Sequence, residues 1–250
     1  MRTVFITGAT AGFGEACARR FAKEGWQLIV VGRRIRRIDA LKQELHPVPV
    51  HGIVVDIRAR KAVEKAIAAL PEQFRAVDVL INNAGLSLGA EQAQHASVDD
   101  WEVMIDTNVK GLLYVTKAIV PGMVERNRGL IINIGSTAGN YPYPTGHVYG
   151  ATKSFVKQFS LNLRADLLGT KVRVTNVEPG IAETEFAVVR FKGNKEKAAN
   201  FYRNVHPLRA EDIAEAVYWI TTRPPRVNIN RLEIMPVNQA FGPFALHREE

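Results

Sequence analysis

The sequence predicts an α/β protein: a doubly wound parallel sheet with helices on both faces, gathered into a single domain over residues 1–250. Three observations lead there. Short apolar runs alternate with helix-period segments, most of those runs lack polar alternation, and a glycine-rich turn joins the first run to the first helical segment. Continuous apolar strands belong to sheets covered on both faces, and a βαβα order supplies the crossover helices that cover them. A chain of 250 residues with 46% hydrophobic content is enough for one sizeable core.

Strands are expected at Val4 to Thr7, Gln27 to Val31, Gly52 to Val55, Asp78 to Ile81, Leu130 to Ile134 and Val172 to Val177. Between them, Gly14 to Lys23, Arg36 to Leu45 and Ala59 to Leu70 read as helices, the last stopped by Pro71. Val148 to Leu168 is a longer helix, with apolar positions at Phe155, Val156, Phe159, Leu163 and Leu167. With right-handed crossovers such a sheet binds ligands beyond the carboxyl ends of its strands, so active residues should follow strands. One region lacks a clear period. Residues 183–206, rich in Lys, Arg, Asn and Gly, suit either a substrate lid or an ordinary surface excursion.

Thr7-Gly8-Ala9-Thr10-Ala11-Gly12-Phe13-Gly14 lies between the first strand and the first helix. Glycines at 8, 12 and 14 permit a tight turn, close backbone approach to a pyrophosphate, and close packing of a helix whose N-terminal amides face that anion. Position after a strand gives the pattern its meaning and makes the domain Rossmann-type. An acid at the end of the second strand would hold an adenosine ribose and disfavour a 2′-phosphate; here Val31-Gly32-Arg33-Arg34 offers two guanidiniums instead, which favours NADP(H) over NAD. Asp56 follows the third strand, where it could meet the adenine or merely cap a helix. Asn82-Asn83-Ala84-Gly85 follows the fourth strand, where it could line the cofactor groove or simply form a turn.

Tyr149 and Lys153 are four residues apart on one face of the long helix. Ser136 stands where strand Leu130 to Ile134 ends, and Asn108 lies in the helical stretch before that strand. This set can couple hydride transfer to proton transfer. A tyrosine of ordinary pKa about 10 needs that value lowered to act near neutrality, and an adjacent ammonium favours the phenolate. Ser136 can hydrogen-bond the substrate oxygen, Lys153 can also grip the nicotinamide ribose, and Asn108 can hold a water for proton relay.

Composition narrows the alternatives. No stretch approaches the roughly 18 consecutive apolar residues of a membrane span, and the first residues run into strand-like sequence instead of a signal peptide, so a soluble, cytoplasmic protein is expected. Cys17 is the one cysteine, and the six histidines show no metal-ligand spacing, so no metal is expected. The net charge of +8 and the run Arg33-Arg34-Ile35-Arg36-Arg37 bring nucleic acid to mind. That run is short and lacks interleaved aromatics, so a phosphorylated cofactor and a small acidic substrate account for it better.

Taken in order, these motifs resemble the short-chain dehydrogenase/reductase family over nearly the whole chain. Its glycine motif corresponds to Thr7 to Gly14, its second signature to Asn82 to Gly85, its Asn-Ser-Tyr-Lys tetrad to Asn108, Ser136, Tyr149 and Lys153, and its Pro-Gly pair near nicotinamide to Pro179-Gly180. Ile57 beside Asp56 and Thr184 beyond the Pro-Gly pair join the implied cofactor contacts. The resemblance also implies a tetramer or dimer built partly from the helices carrying Asn108 and Tyr149, with a homotetramer the expected state.

Within the family, Gly8 to Glu15, Ile105 to Asn108, Ile132 to Gly139, Phe159 to Arg164, Val189 to Gly193 and Val227 to Asn230 are similar to bacterial NADP-dependent 3-hydroxy acid dehydrogenases. Those act on serine, allo-threonine and short 3-hydroxy acids, or in reverse on malonic semialdehyde. Gly139 to Pro144 with His147 to Gly150 is also similar to the sulfoacetaldehyde reductases. Both groups reduce a small aldehyde that bears an anion. Arg190 and Lys192 are candidates to bind that anion, the alternative being solvated lid charges, and His147 is open to either substrate contact or a packing or capping role. A binding protein that senses NADPH without chemistry is the rival from another class; an intact Tyr149 and Lys153 argue against it.

Overall fold

The computed structural model describes residues 1–242 and 245–248; positions 243, 244, 249 and 250 of the expected domain lie outside the described residues. Among the described residues seven strands form one sheet: β1 (Thr3–Thr7), β2 (Gln27–Gly32), β3 (Val50–Val54), β4 (Val77–Asn82), β5 (Gly129–Ile134), β6 (Val172–Pro179) and β7 (Arg231–Ile234). Their spatial order is β3-β2-β1-β4-β5-β6-β7 and every pairing is parallel. The order reverses between β1 and β4. A crevice opens at that point beyond the carboxyl ends of the strands, where doubly wound sheets place ligands.

The helices in chain order are α1 (Gly12–Lys23), α2 (Ile35–Glu44), α3 (Arg60–Ala68), α4 (Glu72–Arg75), α5 (Val98–Ile105), α6 (Leu112–Glu125), α7 (His147–Asp166), α8 (Phe186–Arg190), α9 (Lys195–Phe201) and α10 (Ala210–Thr221). Strand side chains alternate faces, and the two cores follow that alternation. Val4, Ile6, Leu28, Val30, Val79 and Ile81 pack with Cys17, Phe21, Ile38, Leu41, Ile213 and Val217 of α1, α2 and α10. Phe5, Ile29, Val31, Leu80 and Ile131 pack on the other face with Val63, Val115, Ile119 and Met123 of α3 and α6. Apolar residues therefore fill successive positions in the middle of β1, β2, β4 and β5. This is why the strands read as unbroken runs.

Six strands fall where the sequence places them, within a few residues. β7 was not expected: Arg-Leu-Glu-Ile is short, its first residue is exposed and the rest only partly buried, so it carries no apolar run. Residues 183–206 contain α8 and α9, the latter capped by Asn194, whose Oδ1 accepts from the Lys197 amide at 2.9 Å. Asn108 lies in a π-helical turn, Asp106–Gly111, between α5 and α6. Such turns interrupt the regular ladder and often mark functional positions. No helix among the described residues is long and apolar enough to cross a membrane.

Candidate active site

A cleft of about 400 Å³ runs across the carboxyl ends of β1, β2, β4, β5 and β6. At one end the glycine turn forms its floor. Gly8 has a φ of 64°, in the left-handed region, and a Cβ on Gly14 would lie 2.3 Å from the Gly8 carbonyl oxygen. Only hydrogens fit there, so α1 packs tightly under the turn. Ala11 at its N-cap provides no side-chain cap, which leaves the first-turn amides available to an anion. This cradle fits the pyrophosphate of a dinucleotide.

Thr7 and Asn83 lock the turn to β4. Thr7 Oγ1 accepts from the amides of Asn83 and Ala84, both at 3.0 Å, and Asn83 Nδ2 donates to the carbonyls of Thr7 and Gly8 at 3.0 and 3.2 Å. Gly8, Thr10, Gly12, Phe13, Asn83, Ala84 and Gly85 line the cleft, as do Asp56, Ile57, Pro179, Gly180 and Thr184. Thr7, Gly14 and Asn82 do not. Asn82 is buried and donates to Thr116 and Asn133, both at 2.8 Å, so it braces β4 from behind.

Arg33 and Arg34 line the cleft beyond the glycine turn, Arg33 with an exposed guanidinium 3.8 Å from Asp56. Asp56 also takes Arg58 in a close ion pair at 2.6 Å and accepts from the Arg58 amide, and Arg58 holds its carboxyl below the usual range. Asp56 thus organises the turn after β3 and lines the cleft, while the N-cap of α3 is Ala59, with no side-chain cap. Arg37, which the sequence reading passed over, joins Arg34 in donating to the Thr10 carbonyl, each at 3.2 Å. The signal was present, because Arg37 stands three residues after Arg34 and so shares its side of α2.

At the other end Ser136, Tyr149 and Lys153 line the same cleft. Gly146 ends the loop into α7, which carries both Tyr149 and Lys153, while Ser136 is fixed where β5 ends, its Oγ accepting from the Ala138 amide at 3.1 Å. Tyr149 is hydrogen-bonded to Ser136 and its ring meets Phe186 of α8, the centroids 5.5 Å apart. Burial pushes the Tyr149 hydroxyl above its ordinary value and Tyr143 adds to this, while Ser136 and the Arg190 charge oppose it. The sequence reading expected an adjacent ammonium to lower it. Instead, desolvation of the phenolate outweighs every opposing group, because Lys153 Nζ donates to the Ile134 carbonyl at 2.8 Å and lies 5.8 Å from the tyrosine ring centroid. Lys153 is itself buried, which lowers its ammonium to about 8.

Asn108 is buried beside this group but does not line the cleft. Its side-chain amide pairs with both backbone groups of Leu86 at 2.8 Å and donates to Thr152 at 3.0 Å. The amide so ties the loop after β4 to α7. A Cβ on Gly85 would lie 3.2 Å from Asn108 Oδ1 and 3.4 Å from Lys153 Nζ, so the glycine admits both groups to one spot.

The third group is Arg190, which is only 5% exposed yet lines the cleft. It donates to Thr145 Oγ1 at 3.1 Å and to the Gly89 carbonyl at 3.4 Å, and it is bonded to Tyr143, with the rings of Tyr143, Phe191 and Phe201 within 6 Å of its charge. Among the described residues no carboxylate pairs with it. Lys192 is placed differently: its ammonium bonds Asp100 at 2.7 Å and does not line the cleft. His147 is also turned away. Its Nδ1 accepts from the Val148 amide, its Nε2 meets the Glu91 carbonyl at 3.3 Å and its ring packs on Trp101. Tyr143 of the Gly139 to Pro144 stretch and Phe186 and Tyr202 of residues 183–206 also line the cleft; the sequence marked these segments but not the individual side chains, which only the folded chain brings there.

No group of three or more His, Cys, Asp and Glu residues that could hold a metal occurs among the described residues. What the cleft does offer is an anion cradle, a phenol bonded to a serine, a buried ammonium and a buried guanidinium.

Comparisons with known proteins agree with this arrangement. The family model described as short chain dehydrogenase matches residues 2–195. The NADP-dependent 3-hydroxy acid dehydrogenase YdfG of Salmonella typhi is 60% identical over 246 residues, covering 98% of this chain and 99% of that one. A sulfoacetaldehyde reductase of Chromohalobacter salexigens is 56% identical over 245 residues, covering 97% of each. Among solved structures, the closed form of serine dehydrogenase complexed with NADP+ is 56% identical and superimposes with a TM-score of 0.95 over 99% of this chain and all of that one.

Proposed function

The chain belongs to the short chain dehydrogenase family, and within it we propose an NADP(H)-dependent oxidoreductase that interconverts short 3-hydroxy acids of the serine, allo-threonine and 3-hydroxypropionate type with their oxo acids or semialdehydes. The nicotinamide supplies or accepts the hydride. In the reductive direction Tyr149 donates its proton to the substrate oxygen, and Ser136, hydrogen-bonded to that phenol, holds the same oxygen. A hydroxyl kept protonated by burial is suited to give its proton to a developing alkoxide. Lys153, buried beneath the phenol's helix face, is read as the grip on the nicotinamide ribose, and Asn108 as the brace that keeps the loop after β4 against α7.

The observation that carries the substrate class is Arg190. A guanidinium with 5% exposure and no carboxylate partner among the described residues is costly to bury. A carboxylate on the substrate completes it, accepting two charge-assisted bonds at a fixed distance from the reacting carbon. Residues 183–206 are then read as the lid that carries this charge over the substrate. A sulfonate can use the same fork, and the 56% identical sulfoacetaldehyde reductase supports reduction of sulfoacetaldehyde to isethionate as a second reading. A cytoplasmic homotetramer belongs to the same proposal. Exposed Ile105 of α5 with Phe155 and Leu161 of α7 supports it, since these are apolar side chains suited to packing on a second copy.

The test is NADPH consumption with malonic semialdehyde, sulfoacetaldehyde and neutral aldehydes side by side, with NADP-driven oxidation of serine and 3-hydroxybutyrate in parallel. Anionic aldehydes should be preferred strongly over neutral ones of equal size. No turnover with any of them would sink both readings.

A further inference from the structure

Glu178 of β6 and Glu233 of β7 are register partners on neighbouring parallel strands, so both carboxylates leave the same face of the sheet. Like charges on strands roughly 5 Å apart repel unless something stands between them. The side chain of Asn140 does. Its Nδ2 donates to Glu178 Oε2 at 2.8 Å and to Glu233 Oε2 at 2.7 Å, while its Oδ1 accepts from the Lys157 ammonium of α7 at 2.9 Å. Both donors of the amide and its acceptor are thereby used. Glu178, only 1% exposed, is completed by a two-pronged contact from Arg231 at 3.0 and 2.7 Å and by Asn176 at 2.6 Å.

The same turn is pinned from the side of α7. The Gly139 carbonyl accepts from Ser154 Oγ at 2.8 Å and from Lys157 Nζ at 3.3 Å, and a Cβ on Gly139 would lie 2.7 Å from the carbonyl carbon of Lys153. Tyr141, the next residue after Asn140, lines the cleft and donates its hydroxyl to Glu233 Oε1 at 3.1 Å. Tyr143 lines the cleft as well and is bonded to Arg190. The chain between Ser136 and α7 is therefore held between a helix and two strand ends by charge-assisted bonds, and a polar network satisfied in this way is rigid.

We propose that Glu178 and Glu233, acting through Asn140, are positioning residues for the substrate: they fix the wall that carries Tyr141 and Tyr143 against Ser136, and so set the affinity for the aldehyde without holding the cofactor. This rests on the reading of Ser136 and Tyr149 as the reacting pair. Glu178, Glu233 and Asn140 do not line the cleft themselves, so their effect passes through the tyrosines. The proposal also gives β7 a task. Its charged positions, Arg231 and Glu233, supply one side of the clamp.

The experiment measures KM for malonic semialdehyde at saturating NADPH, NADPH binding by calorimetry, and hydrogen exchange of backbone amides in residues 137–146. Asn140→Asp replaces the shared donor by a third carboxylate. KM for the aldehyde should rise about tenfold or more, exchange in 137–146 should quicken, and NADPH affinity should change less than about twofold. Adding Glu233→Gln reverses one donor and acceptor pair, an amide at 233 now facing a carboxylate at 140, and should lower that KM again by about threefold or more. Glu233→Gln alone changes no side-chain volume and should raise KM about threefold, which decides the matter if Asn140→Asp does not fold. An unchanged KM in the single variants, a loss of NADPH affinity parallel to the rise in KM, or a double variant no better than Asn140→Asp overturns the proposal. If the unsubstituted protein turns over none of the aldehydes, the functional reading has failed and the proposal with it; if it turns them over and KM stays constant across the variants, the proposal alone has failed.

Discussion

Lys153 and Tyr149 lie one turn apart on α7, yet the Lys153 ammonium is bonded to the Ile134 carbonyl at 2.8 Å and stands 5.8 Å from the Tyr149 ring centroid. The phenol's own hydrogen bond is to Ser136. Under the proposed mechanism this geometry divides the labour: Ser136 and Tyr149 serve the reacting oxygen, while the lysine is anchored to the end of β5.

Removing the phenol oxygen tests the first half of that division. Tyr149→Phe keeps the ring against Phe186 and should lower turnover at least about 100-fold while NADPH binding, read by fluorescence titration, is retained. Because burial holds the Tyr149 hydroxyl above its ordinary value, alcohol oxidation, which needs the phenolate, should accelerate as pH rises through the neutral range. A protein that senses NADPH without chemistry would show neither effect.

The lysine makes a prediction about stability. Its ammonium falls from an ordinary 10.5 to about 8 on folding, so between those values the unfolded chain binds more protons than the folded one. Stability then rises with pH across that window, relative to a variant without the charge. Compared with Lys153→Met in urea titrations, the unsubstituted protein should gain up to about 3 kcal/mol between pH 8 and pH 10.5. A constant difference between the two proteins would mean that the ammonium is better solvated than its burial implies.

Arg190→Ala removes a guanidinium that is buried in the cleft wall. KM for an anionic aldehyde should rise about tenfold to 100-fold, and KM for a neutral aldehyde of similar size should change little. Arg190→Lys should recover only part of the loss, because an ammonium cannot form the two-pronged contact. Equal effects on charged and neutral substrates would show that Arg190 holds the segment in place and nothing more.

At the opposite end, Arg34→Ala should cut kcat/KM with NADPH by about tenfold or more and leave the value with NADH nearly unchanged. The comparison is internal, since both cofactors share every other contact. Parallel losses would point to a collapse of the Thr10 turn, to which Arg34 also donates at 3.2 Å.

The sequence alone determined the doubly wound sheet, the glycine cradle and the order of Asn108, Ser136, Tyr149 and Lys153, because each depends on local patterning: unbroken apolar runs, glycines at fixed intervals, and two side chains one helical turn apart. Tertiary structure decided what those patterns could not. Arg190 and Lys192 are two residues apart in a basic stretch, yet one is buried in the cleft wall and the other is drawn to Asp100 at the surface. His147 is two residues from Tyr149 but is taken by Glu91 and Trp101. Glu185 meets Arg34 across 151 positions of chain, a separation no local pattern encodes. The direction of the Tyr149 shift belongs to the same class, since desolvation is set by everything packed around a group, and only the folded chain specifies that surrounding.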